Sequence, residues 1–244
     1  SANEPSSEFR DQLVMTKVVQ SEQVGSTSMS ENVVVAIDGP AGAGKSTVAK
    51  ALAHALQLKY LDTGAMFRAV TSLALSSGTD VHDESAVSAV AENMNLVMEN
   101  GLVLANGTDV TTDIRSIAVT SAVSTVAANS RVRANMRDRQ RMWSDLNRGG
   151  VIEGRAIGTV VFPDAVLKVY LTASPRVRAE RRVAEAGGDI DEIERSIAER
   201  DLKDSTRSDS PLQESADSVV VDTSNRSIED IVGSIVEIIV ERMK

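Results

Sequence analysis

The chain has no cysteine, which removes disulfides, thiolate metal sites and cysteine nucleophiles from consideration. His54 and His82 are its only histidines, so most zinc enzymes and histidine-based triads are poor readings as well. No stretch reaches the roughly 18 consecutive apolar residues of a membrane span. The opening Ser-Ala-Asn-Glu-Pro also lacks the basic start and apolar run of a secretory signal. A soluble cytoplasmic protein with no membrane partner is expected. Basic residues are in deficit, 26 Lys and Arg against 35 Asp and Glu for a formal charge of −9, which argues against nucleic acid as a partner. What is present is a chain of 244 residues, 42% of them hydrophobic, enough for one large domain or one domain with small inserts.

The charge is unevenly spread. Residues 115 to 207 hold 15 Arg and 2 Lys against 13 Asp and Glu, so the second half has a local positive excess suited to anions. Residues 1 to 32 are rich in Ser, Glu and Gln and show no sustained apolar period, as expected of a flexible extension. Order is expected from Val33 to Ile37, a continuous apolar run suited to a parallel strand covered on both faces. A glycine loop follows, then a helix carrying Val48, Leu52 and Leu56 at spacing four.

Strand and helix keep alternating, which points to an α/β fold. The alternation breaks between residues 95 and 111, where short apolar runs are separated by Asn100-Gly101 and Asn106-Gly107, the signature of type I′ hairpin turns. A small antiparallel meander of three strands, the last at Asp109 to Thr111, is expected there. Helix is expected over 117 to 143 in two pieces broken near Asn129, and polar helices over 175 to 186 and 190 to 203. The last buried strand is placed at Val219 to Asp222, before a closing helix.

Gly39 to Ser46 fits G-x-x-x-x-G-K-[ST] without mismatch, between a strand and a helix as that motif requires. Gly39, Pro40, Ala41, Gly42, Ala43 and Gly44 would turn backbone N–H groups toward phosphate oxygens, and the helix start at Lys45, Ser46 and Thr47 adds partial positive charge. Lys45 would reach the β and γ phosphates, and Ser46 would be a Mg²⁺ ligand. The guanine-reading Asn-Lys-x-Asp of regulatory GTPases is absent. The acceptor is then the open question. A phosphate monoester is largely dianionic at pH 7, its second pKa lying near 6, so it needs no general base, in keeping with the scarcity of histidine. It does need cations to offset repulsion between phosphates. Arg68, Arg155, Arg200 and Arg207 follow turns or strand ends, or flank the run from Arg200 to Arg207, and are candidates. Arg137, Arg139, Arg141, Arg195 and Arg226 read instead as solvated helix faces.

Val35 to Ser46, Leu61 to Arg68, Glu153-Gly154-Arg155 with Ile157 to Ala165, Arg200 to Arg207 and Ser210-Pro211-Leu212 together resemble bacterial cytidylate kinases in order and spacing, over about residues 33 to 240. The resemblance implies a P-loop parallel five-stranded sheet flanked by helices. The core would comprise 33–62, 145–174 and 204–240. The monophosphate-binding region would be 63–144, enlarged by the insert at about 95–111, and a short lid would lie at about 175–190. It implies phosphoryl transfer from ATP to CMP or dCMP with Mg²⁺, by a monomer. Thr63, Ser124 and Arg133 would face the cytosine. Arg68, Arg155 and Arg207 would hold the CMP phosphate, and Arg200 and Asp204 would contact the ribose. Arg178, Arg181 and Arg182 would sit on the lid, so that Lys45, Arg155, Arg178 and Arg182 become the catalytic cations. Glu153 would orient Mg²⁺ through water, a simple helix cap being its other reading. Two departures stand out: Ala156 occupies a position where the family usually has Asp, and Phe67 replaces a common Tyr. The alternatives are a P-loop kinase acting on UMP, AMP or another metabolite, and a non-catalytic nucleotide-binding switch.

Overall fold

The computed structural model describes residues 32–99 and 101–242, so the extension expected over residues 1–32 lies, apart from Asn32, outside them. The apolar run forms β1 (Val33–Asp38). Alternation sorts its side chains onto two faces. Val34 and Ala36 join one buried cluster and Val35 and Ile37 the other, which is why no polar residue interrupts the run.

The glycine loop leads into α1 (Lys45–Leu56), and β2 (Tyr60–Asp62) runs directly into α2 (Thr63–Ser76). After α3 (Glu84–Asn93) come β3 (Leu96–Glu99), β4 (Leu102–Ala105) and β5 (Thr108–Asp109). The second half comprises α4 (Ile117–Ala128), α5 (Ser130–Asn147), β6 (Gly149–Gly154), a π-helical turn at Ile157–Val161 and β7 (Leu167–Thr172). It closes with α6 (Pro175–Ala186), α7 (Ile190–Thr206), β8 (Val219–Asp222) and α8 (Ile228–Arg242).

The main sheet has the order β2-β6-β1-β7-β8 with every pair parallel, the five-stranded sheet expected. On one face α1 and α8 bury Val48, Leu52, Ile231 and Ile235 against β1, β6 and β7. On the other, Met66, Val70 and Met136 from α2 and α5 pack with Ile152 and Leu61. The carboxyl ends of β1, β2 and β6 lie together, with Ile37 and Asp62 both in register with Glu153. In open α/β sheets this is the edge where ligands bind.

The insert is a separate antiparallel sheet, β3-β4-β5. Asn106 and Gly107 have φ of 52° and 80°, as a type I′ turn requires. The third strand is shorter than expected. Past Asp109 the next pair is only half made: the Val110 N–H donates to the Val103 carbonyl at 2.9 Å, but the Val103 N–H turns to the Thr111 hydroxyl at 2.9 Å, a side chain replacing one backbone partner. Val103 and Ala105 of β4 are buried in the first core, so the insert widens the domain without leaving it.

The break near Asn129 is an N-cap. Its side-chain oxygen accepts from the N–H groups of Arg131 and Val132 while its amide donates to the Glu84 carbonyl at 2.9 Å. α5 runs four residues past the expected end, and α7 runs to Thr206 rather than 203. Two arginines expected on solvated faces also act as structural ties, Arg139 half-buried and Arg141 still exposed. Arg139 donates to the carbonyls of Ala91 and Met94 at 3.2 and 2.8 Å, closing the end of α3, and Arg141 donates to the Val161 carbonyl at 3.1 Å. Helix C-terminal carbonyls without intrahelical partners favour such cations. The segment expected as a lid consists of α6 and its turn to α7, the two helices packing side by side.

Candidate active site

Between β1 and α1 the backbone folds into a cradle. Gly42 and Gly44 have φ of 76° and 87°, and Gly44 occupies the N-cap position of α1 with no side chain satisfying the helix N–H groups. A Cβ on Gly39 would lie 2.1 Å from the Leu171 carbonyl oxygen, so that glycine is demanded by the approach of β7. The first turn of α1 contains no acidic residue, leaving an unneutralised helix N-terminus of the kind that receives phosphate. Lys45, 7% exposed, donates to the Pro40 carbonyl at 2.8 Å. Burial, then the neighbouring Arg155, hold its ammonium below the usual lysine range.

Beside the cradle, Tyr60 donates its hydroxyl to Glu153. Glu153 is buried on β6, and burial followed by the nearby Asp62 raises its carboxyl, Lys45 acting in the opposite direction. It lies inside a strand, so the helix-cap reading fails. Thr63 donates to the Glu153 carbonyl at 2.7 Å. Thr47 and Ser46 are exposed on the first turn of α1.

Across the cavity the arginines converge. Arg155 donates to Asp204 at 3.0 Å, and the Arg207 guanidinium lies 3.5 Å from the other oxygen of the same carboxylate. Arg200 Nε and Arg207 Nη2 are buried without a hydrogen-bond partner. Burial is the largest cause lowering both Arg200, to about 10, and Arg207; Arg155 acts in the same direction on each. Arg68 is likewise lowered to about 10, by burial and then Arg182, and donates to the Ile114 carbonyl and the Thr120 hydroxyl at 2.9 Å each. Positive charge in this cluster exceeds what Asp204 neutralises, an arrangement complementary to a polyanion. Arg133 sits over the Phe67 ring at 5.2 Å and donates to the Ala127 carbonyl at 3.0 Å.

One cavity of about 550 Å³ joins these groups, within the usual range for small-molecule sites. Of the residues singled out from the sequence, Ala41, Gly42, Lys45, Ser46, Thr63, Arg68, Ser124, Arg133, Glu153, Arg155, Arg182, Arg200, Asp204 and Arg207 line it. Gly39, Pro40, Ala43, Gly44 and Thr47 complete the loop and first turn outside the lining. Arg178 does not border the cavity. It is 6% exposed, pairs with Asp201 and donates to the carbonyls of Ala173 and Ala41 at 3.1 and 3.2 Å, bracing the loop from behind. Arg181 braces it too, donating to the Gly42 carbonyl at 3.2 Å and the Thr223 carbonyl at 2.7 Å.

Sequence reasoning missed Asp38, Gln140 and Asp201. Asp38 closes β1 and accepts from the N–H groups of Ile157 and Gly158 at 2.8 Å each, clamping the turn that follows Arg155. A carboxylate between the apolar run ending at Ile37 and the first loop glycine is the available signal. Asp38→Ala would orphan two buried N–H groups, each costing roughly 1–3 kcal/mol. Loss of at least about 2 kcal/mol of stability in urea denaturation is expected, and a loss below about 0.5 kcal/mol would refute the clamp.

The family model described as cytidylate kinase matches residues 35–241. A bifunctional pantoate ligase/cytidylate kinase of Trichormus variabilis is 45% identical over 242 residues, 91% of this chain and 45% of that protein. The cytidylate kinase of Geobacillus kaustophilus is 45% identical over 224 residues, covering 88% of this chain and 100% of its own length. That of Streptomyces avermitilis is 43% identical over 216 residues, covering 86% and 94%. The chain thus spans less than half of its bifunctional relatives and nearly all of the free-standing ones. By the extent of these matches, the chain belongs to the cytidylate kinase family.

Proposed function

We propose that the chain transfers the γ-phosphoryl group of ATP to CMP or dCMP, giving CDP or dCDP and ADP, as a monomer. The observation that carries this reading is the incompletely neutralised arginine cluster facing a phosphate loop across one cavity. The loop takes the donor. Lys45, released from the Pro40 carbonyl, meets the β and γ phosphates, while Arg68, Arg155 and Arg207 hold the acceptor phosphate.

Two unit charges about 4 Å apart at an effective dielectric near 20 repel by roughly 4 kcal/mol. The reacting phosphates carry several such charges, and the buried cations offset them. No base need remove a proton from a dianionic acceptor. Asp38, with both oxygens committed to backbone N–H groups, serves position instead. Arg200 and Asp204 suit the ribose, and Arg133 with Phe67 and Ser124 forms the slot for the base.

Among the described residues no group of three or more His, Cys, Asp or Glu gathers to hold a metal ion. That fits a cation arriving with the nucleotide's own oxygens and meeting only Ser46 directly and Glu153 through water. Bound Mg²⁺ would neutralise charge on the β and γ phosphates. Arg182, on exposed α6 and lining the cavity, is placed to approach the transferring group when the lid helices close and exclude water. Arg178 would have to leave Asp201 to join it.

A coupled ADP-release assay across CMP, dCMP, AMP and shikimate tests the reading. Turnover on the two cytidine nucleotides and none on AMP or shikimate is expected. Greater turnover on AMP or shikimate, or tight ATP binding with no turnover on any acceptor, would overturn it.

A further inference from the structure

Gln140 lies on α5 two turns beyond Arg133, so both side chains leave the same helix face. It is 2% exposed, lines the cavity, and its carboxamide oxygen has no hydrogen-bond partner. Leaving such a group unpaired is costly, and the protein around it supplies no relief. Val132 and Met136 on the same stretch of helix are fully buried apolar residues, and Phe67, Ile157, Val161 and the Ala156 methyl belong to the apolar part of the lining. A ligand edge with a donor and an acceptor side by side would satisfy the amide.

Cytosine presents its N4 amino donor beside the N3 acceptor. Uracil presents the same pair reversed, its N3–H donor beside the O4 acceptor. A carboxamide carries both functions, and half a turn about its last torsion converts the fit for one base into the fit for the other. Nothing in the cavity fixes that rotation. The oxygen has no donor, Ala156 can neither donate nor accept, and the Ser124 hydroxyl does either. Arg133 only donates, which suits the O2 carbonyl common to both bases.

We propose that Gln140 reads the Watson–Crick edge of the acceptor's pyrimidine and that, being free to rotate, it admits UMP as well as CMP. This deepens the proposed function and rests on it. The test is steady-state kinetics of the full chain with CMP and with UMP, on the parent and on Gln140→Leu, together with thermal unfolding of both. The parent is expected to prefer CMP over UMP by no more than about tenfold. Gln140→Leu is expected to raise KM for both nucleotides by about tenfold or more, to leave KM for ATP unchanged, and to keep or raise Tm because it removes an unpaired buried amide.

Parent preference for CMP above a hundredfold would overturn the proposal while leaving CMP phosphorylation intact. Unchanged acceptor KM values in the variant, or a lowered Tm with a raised KM for ATP, would overturn it as well, the latter marking Gln140 as structural. The parent's ratio is read without any variant, so a Gln140→Leu chain that failed to fold would not shield the proposal. Absence of turnover on CMP by the parent would instead defeat the proposed function itself.

Discussion

Lys45→Met is expected to lower kcat by about a hundredfold or more, with a Tm above that of the parent. The loss follows from removing a charge contact made to the transferring group, typically worth roughly 3 kcal/mol of transition-state stabilisation. The gain in Tm follows from burial: Lys45 is 7% exposed and its ammonium is satisfied mainly by one carbonyl, while Arg155 is the strongest neighbouring charge disfavouring it. Methionine fills the same channel without a charge.

The effect has a pH signature. The unfolded chain keeps the lysine proton up to its ordinary value of 10.5, whereas the folded chain releases it earlier. Between those two values the unfolded state binds more protons, so the parent gains stability as pH rises. The methionine side chain of the variant has no proton to release, so the variant's advantage should be greatest at and below the lowered value and should fade toward pH 10.5. Denaturant titrations at several pH values check this. A constant difference across the range, or undiminished turnover, would refute the role given to Lys45.

Asp204→Ala is expected to be severely destabilising, by about 3–5 kcal/mol, the usual consequence of removing one partner of a buried ion pair. The Asp204 and Arg207 side chains are each 6% exposed and that of Arg155 is 19% exposed, so solvent screens little of the charge left behind. Arg155, Arg200 and Arg207 would then face one another without a carboxylate among them. Inorganic phosphate or CMP should recover much of the loss, because either returns negative charge to the cluster, whereas they should stabilise the parent less. Urea unfolding with and without phosphate measures both effects. A loss under about 1 kcal/mol, or one indifferent to phosphate, would show that the arginines are neutralised by other means.

Much of this is legible in the order of the residues alone. The alternation of Val34 and Ala36 with Val35 and Ile37 marks a strand buried on both faces, and the glycine loop with Lys45 marks the cradle between β1 and α1. Asn106-Gly107 marked the hairpin because its φ values are dictated locally. What escaped depends on distant partners. Arg139 and Arg141 occupy helix positions that read as solvent-facing, yet the carbonyls they reach belong to other segments. Gln140 is an ordinary polar residue of a helix until the fold buries it beside the cavity that Phe67 and Ile157 also line. The family resemblance puts Arg178 with Arg182 on the lid, and only the fold shows that one points behind the phosphate loop and the other into the cavity.

The Asp38 carboxylate has a bearing on how little the separation between the two substrates can vary. It belongs to the strand that ends in the glycine loop, and its two oxygens hold the N–H groups of Ile157 and Gly158, two and three residues past Arg155. On the proposed reading, the span between donor and acceptor phosphates is held by this clamp together with the pairing of β1 and β6. Movement of α6 would then change access and solvent content while the turn after Arg155 stays tied to β1.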